Sequence, residues 1–75
     1  MERFAEKLRT LRKKHGLTQQ QVADELGIST QTFVHRLETG QKKPSVEHVL
    51  KLAQIFGVTP DQLLLDDREI EEGSD

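Results

Sequence analysis

Residues Leu17–Gly40, LTQQQVADELGISTQTFVHRLETG, decide the fold. Two short helical segments meet here at a tight corner. Thr18 is placed to cap the first, and Gln21 three residues on can reach back to it, the reciprocal pair of a capping box. Val22, Ala23 and Leu26 lie at spacings of one, three and four, so one face is apolar and the rest polar. The small Ala23 side chain lets the following helix cross close by. Gly27 comes after the last apolar residue, where a helix end favours a residue tolerant of positive φ. Ile28 plugs the corner, and Ser29 or Thr30 caps the second segment. That segment buries Val34 and Leu37, with Phe33 at the margin, and leaves Gln31, Thr32, His35 and Arg36 on other faces. The pair is a helix-turn-helix with its second helix directed outward.

Working outward, residues 2–15 read as a first helix. Phe4, Leu8 and Leu11 at i, i+4 and i+7 form its core-facing stripe. Arg3, Lys7, Arg9, Lys13 and Lys14 lie around that stripe and read as a solvated face. His15-Gly16 ends this helix on a basic turn that suits the helix dipole. Beyond Gly40, Gln41-Lys42-Lys43-Pro44 is a short basic turn and Ser45 caps another helix. Val46, Val49, Leu50, Ala53 and Phe56 recur at helical spacing there and are expected to close the core. Gly57 stops it. Thr59-Pro60-Asp61-Gln62 opens a last short helix with a cap, a proline at the first position and a capping-box glutamine. Leu63, Leu64 and Leu65 cannot all face one core, so this run is a candidate contact for a partner. The expectation is an all-α, five-helix domain over residues 1–65 with a flexible acidic tail over 66–75.

Composition excludes more than it identifies. A chain of 75 residues without cysteine holds one small core, and thiolate metal sites and thiol catalysis are ruled out. His15, His35 and His48 fall at no metal-ligand spacing, and no serine is spaced as a nucleophile with its base, so neither a metal, a cofactor nor an enzyme is expected. No run approaches a membrane span and the N-terminus lacks a signal-peptide core, so a cytoplasmic protein is expected. The net charge of −2 is misleading. Residues 66–75, DDREIEEGSD, carry six acids and one arginine, a net −5, which leaves ten basic against seven acidic residues, +3, in 1–65. A mildly basic body with an acidic tail suits a nucleic-acid partner.

The side chains that face outward fit such a partner. The major groove admits one α-helix and identifies each base pair by its pattern of donors and acceptors. Gln31, Thr32, His35 and Arg36 are the types that read such edges, Gln suiting adenine and Arg guanine. Thr18 and Gln19 open a helix whose free N–H groups suit an anion, and Gln41, Lys42 and Lys43 form a second phosphate contact. Thr30, beside the corner, belongs with this bracing set.

Three stretches carry a resemblance in order: LRTLRKKHGLTQQQVADELGIS, HRLETG and KKPSVEHVLKLAQIFGVTPDQLL, together about residues 3–65. They are similar to the Cro/phage-repressor type of helix-turn-helix family, the lambda repressor-like DNA-binding domains. The chain departs by one residue more than the usual spacing between Gly27 and Gly40. Aligning back from Leu37-Glu38 puts Val34 at the buried position and the additional residue near Ser29–Gln31. The resemblance implies a salt bridge between Arg12 and Glu38, and a Gln19 that approaches the DNA backbone and braces the reading helix. It implies a transcriptional regulator, expected to be a repressor, binding double-stranded DNA as a homodimer on an inverted repeat. Resembling antitoxins and protein-binding regulators share the fold. They offer the alternative reading, with Leu65, Ile70 or the acidic tail as the contact for a partner protein.

Overall fold

Side chains mark where most of the helices begin. The computed structural model describes residues 2–70, which form α1 (Phe4–Lys14), α2 (Gln19–Leu26), α3 (Thr32–Thr39), α4 (Val46–Phe56) and α5 (Pro60–Leu64). Thr18 Oγ1 accepts the Gln21 amide at 3.0 Å while Gln21 Oε1 accepts the Thr18 amide at 2.8 Å. Thr59 and Gln62 repeat this box at α5, and Ser45 Oγ accepts the His48 amide at α4. Each such cap contributes about 1 kcal/mol.

The corner between α2 and α3 is closed by backbone. Gly27 sits at φ +75°, its amide donating to Asp24 O, and the Ile28 amide reaches Ala23 O at 2.9 Å. This six-to-one closure satisfies carbonyls that the helix end leaves open. Gln31, in the right-handed region, precedes α3 without a side-chain cap. Thr30 supplies the oxygen instead, accepting the Thr32 amide at 3.3 Å. Val34 and Leu37 point inward, both fully buried.

α1 packs on α3 and α5, and α2 packs on α3 and α4. Phe4, Leu8 and Leu11 meet Val22, Leu26, Val34, Leu37, Phe56 and Leu63 in one core, with Leu17 and Ile28 half-buried at its edge. The expected core of α4 needs correction. Its buried stripe is Val49, Leu52, Ala53 and Phe56, whereas Val46 is 77% exposed and Leu50 50%. Those two residues lie four apart on one flank, outside the arc that Val49, Leu52 and Phe56 define.

Lys7 is the second correction, because it is 2% exposed rather than part of a solvated face. It stands three residues after Phe4 and four before Leu11, inside the stripe. Its ammonium donates to the carbonyls of Gln62, Leu65 and Arg68, each at 2.6 Å. A buried charge is tolerable only when its donors are satisfied, and this one ties the end of α5 and the chain beyond it to α1.

Residues 66–70 lie against the body, and the rest of the acidic tail, 71–75, falls outside the described residues. Asp66 accepts the Arg3 amide at 2.9 Å and the Glu2 amide at 3.1 Å, while Arg3 Nη1 reaches Asp66 O and Glu69. Ile70 is half-buried against the core and so differs from a free partner contact; Leu65 is exposed. The two backbone donors, Arg3 first, hold the Asp66 carboxyl below its ordinary value. Its pKa is lower folded than unfolded, so this docking is complete above pH ~4 and is lost only as pH falls through the lowered value. The amide resonances of Glu2 and Arg3 should therefore titrate together at a midpoint below ~3.9, and Asp66→Asn should abolish the step. A midpoint at the ordinary carboxylate value would refute the contact.

Candidate nucleic-acid interface

With Val34 and Leu37 turned inward, helical periodicity places Thr32, His35, Arg36 and Thr39 on the opposite arc of α3, and all four are exposed. Gln31, just before the helix, is exposed as well. The side chains of Gln31 and Arg36 make no hydrogen bond or ion pair with other described residues. Thr39 was not expected on this face. Its signal was the spacing, seven after Thr32 and three after Arg36, and its hydroxyl donates to Arg36 O at 3.2 Å.

One flank of α3 meets the start of α2. Thr18 Oγ1 is committed as an acceptor to the Gln21 amide, which leaves its O–H free to donate to a phosphate. Gln19 Nε2 donates to Glu38 Oε1 at 3.1 Å and lies 3.4 Å from His35 Nδ1. The opening of α2 is thereby bound to two successive turns of α3.

Glu38 also holds α1. Arg12 Nε donates to its Oε2 at 2.5 Å and Nη2 to its Oε1 at 3.1 Å, a two-pronged pair. The third Arg12 donor, Nη1, reaches Leu17 O at 2.9 Å. The side chains of Arg12 and Glu38 are 13% and 3% exposed, so the pair is largely removed from water. A single carboxylate thus joins α1, the entry to α2 and the far half of α3. The resemblance implies that Gln19 braces α3; its particular partner, Glu38, depends on how two helices approach and is not apparent from residue spacing.

The other flank is built by the turn after Gly40. Gly40, at φ +80°, closes α3 and both the Gln41 and Lys42 amides donate to Arg36 O. Lys42 Nζ stands 5.7 Å over the Phe33 ring, and that ring is tilted on His48 at 4.8 Å. Phe33 is consequently half-buried, a bracket between α3, the basic turn and α4. Gln41 and Lys43 project into solvent, and the Lys43 side chain has no partner among the described residues. Thr18 and Gln19 are therefore on one side of α3 and Lys42 and Lys43 on the other, with Gln31, Thr32, His35 and Arg36 between. Thr30 stays at the corner, its hydroxyl bonded to Thr32.

Among the described residues, no group of His, Cys, Asp or Glu comes together to hold a metal ion, and no helix is long and apolar enough to cross a membrane. The family model described as helix-turn-helix matches residues 8–63. The chain belongs to the Cro/phage-repressor type of helix-turn-helix family. This is a family of DNA-binding transcriptional regulators, not of enzymes.

Among its helix-turn-helix relatives, an uncharacterised transcriptional regulator of Methanocaldococcus jannaschii is 37% identical over 59 residues, which cover 79% of this chain and 88% of that protein. The cryptic phage CTXphi transcriptional repressor RstR of Vibrio cholerae is 36% identical over 63 residues, 84% of this chain and 56% of RstR. The chain thus spans about half the length of that relative. The P22 c2 repressor, solved in complex with a synthetic operator, superposes with a TM-score of 0.78 at 28% identity, covering 85% of this chain and 96% of that one.

Proposed function

We propose that this helix-turn-helix protein is a cytoplasmic, sequence-reading transcriptional repressor that binds an inverted-repeat operator as a homodimer. The reading is carried by one observation: the outward arc of α3 consists of exposed hydrogen-bonding side chains, while its inward arc is locked into the core. Gln31, Thr32 and Arg36 then read base edges, with His35 and Thr39 beside them. Thr18 and Gln19 on one flank and Gln41, Lys42 and Lys43 on the other hold phosphates. Eight residues of reading helix cover only a few base pairs, and a second copy across a two-fold axis doubles the sequence read. Leu63 is buried, so within the leucine run Leu65 is the residue most available to a partner.

Selection of bound duplexes from a randomised pool, at several salt concentrations, tests this. The expected result is enrichment of an inverted repeat with half-sites about one helical turn apart. Repeating the selection with Arg36→Ala should relax the preference at one position of each half-site, a loss of about 1–3 kcal/mol of discrimination there. Sequence-blind binding that disappears by physiological salt would overturn the proposal and favour a protein partner.

A further inference from the structure

We propose that Arg9 and Lys13 of α1 form an additional phosphate clamp, on the flank of α3 opposite Lys42 and Lys43. This rests on the DNA-binding reading above and extends it to a helix outside the helix-turn-helix.

The sequence alone puts both residues on a solvated face. In the fold they line a groove of about 340 Å³ with Gln19, His35, Glu38 and Thr39, between α1, the start of α2 and the far half of α3. It runs on into a second groove of about 530 Å³ that shares Arg9, Lys13, Glu38 and Thr39. Two of these residues, His35 and Thr39, belong to the outward arc of α3. The clamp is thus placed along the rim of the reading surface, not on the back of the domain.

Charge gives the groove its sign. Its one buried carboxylate, Glu38, is already held by Arg12 and Gln19. Glu6, further along, is held by Arg3 at 3.2 Å. The side chains of Arg9 and Lys13 have no hydrogen bond or ion pair among the described residues, and both are exposed. Two uncommitted cations therefore overlook the groove between α1 and α3, where the one acid, Glu38, is occupied; the exposed Glu2 lines only the far end of the second groove.

Geometry supplies the occupant. An α-helix with its side chains is about 10–12 Å across and the major groove about 12 Å wide, so a helix lying in it has a sugar–phosphate strand along each flank. On one flank of α3 that strand meets Lys42 and Lys43. On the other, Thr18 and Gln19 offer only neutral donors, and Arg9 and Lys13 are the cations that stand beside them. A phosphate strand is the anion of matching sign and length for two cations one helical turn apart.

The test measures Kd against salt for the full chain on a mixed-sequence duplex about two helical turns long, since phosphate contacts do not depend on sequence. Wild type is compared with Arg9→Ala/Lys13→Ala, Lys43→Ala and Arg68→Ala, the last removing a cation that lines neither groove. Each lost phosphate contact lowers the slope of log Kd against log salt by about 0.9. The double variant should fall by about 1.8, so that over a fourfold rise in salt wild type loses about 12-fold more affinity than the variant. Lys13→Arg should keep the wild-type slope. An unchanged slope in the double variant, with Lys43→Ala still lowering it, overturns the clamp and leaves the DNA-binding reading intact. An equal fall in Arg68→Ala reduces the effect to net charge and overturns it too. If wild type binds no duplex, both readings fail together.

Discussion

Glu38→Ala is expected to destabilise the domain by about 3 kcal/mol or more, and Arg12→Ala by a comparable amount. Removing the carboxylate leaves the Arg12 guanidinium largely buried with Leu17 O as its remaining acceptor, and leaves Gln19 Nε2 with only His35 Nδ1 at 3.4 Å. A domain of this size is stable by only ~4–11 kcal/mol, so such a loss takes away a large share. It should lower the melting temperature by about 12 °C or more. The double variant should cost much less than the two single variants added together, because the penalty lies in the orphaned charge rather than in the absent pair. Glu38→Gln, which keeps an acceptor for Arg12, should fall between. Thermal melts of the four proteins decide it, and additivity within about 0.5 kcal/mol would dismiss the coupling.

Lys7→Met should cost about 2–3 kcal/mol, the value of a charged donor withdrawn from carbonyls that then depend on water. Lys7→Ala should cost about 4 kcal/mol, since the methylene stem that fills the core between Phe4 and Leu11 goes with it. The effect has a local signature. The Leu65 and Arg68 amides, bonded to Asp61 O and Leu65 O, and the Arg3 amide on Asp66 should exchange with solvent faster in Lys7→Met by more than the global loss accounts for. Uniform acceleration across all helices would mean that Lys7 acts as a core filler and not as the tie for 65–70.

What was legible in the sequence is what neighbours settle between themselves. Thr18 with Gln21 and Thr59 with Gln62 form their boxes because each pair is three residues apart, and the alternation around Val22 or Val34 follows from helical pitch alone. Lys7 was not legible in this way. Its acceptors lie 55 to 61 residues along the chain, and only the meeting of α1 with α5 turns a lysine at a stripe position into an internal donor. Val46 and Leu50 mislead for a related reason. Both are helically spaced from Val49 or Ala53, but the arc that is buried is set by where α2 and α5 press on α4. The interface divides likewise. Gln31, Thr32, His35 and Arg36 follow from the inward turn of Val34 and Leu37, whereas the sharing of Glu38 by Gln19 and the groove beside Arg9 and Lys13 exist only once three helices have come together.

The division of labour along α3 has a consequence for how such a protein changes over generations. Val34, Leu37 and Glu38 hold the helix in place, while the side chains of Gln31 and Arg36 are bonded to nothing else described in the domain. Surface substitutions of that kind alter stability by about 0.5 kcal/mol or less. On the function proposed above, new target sequences are therefore open to exploration by lineages of this chain without loss of foldability, one exposed position at a time. An engineer inherits the same freedom: libraries at 31, 32, 36 and 39 should yield folded members almost throughout, and retargeting becomes a search over contacts alone.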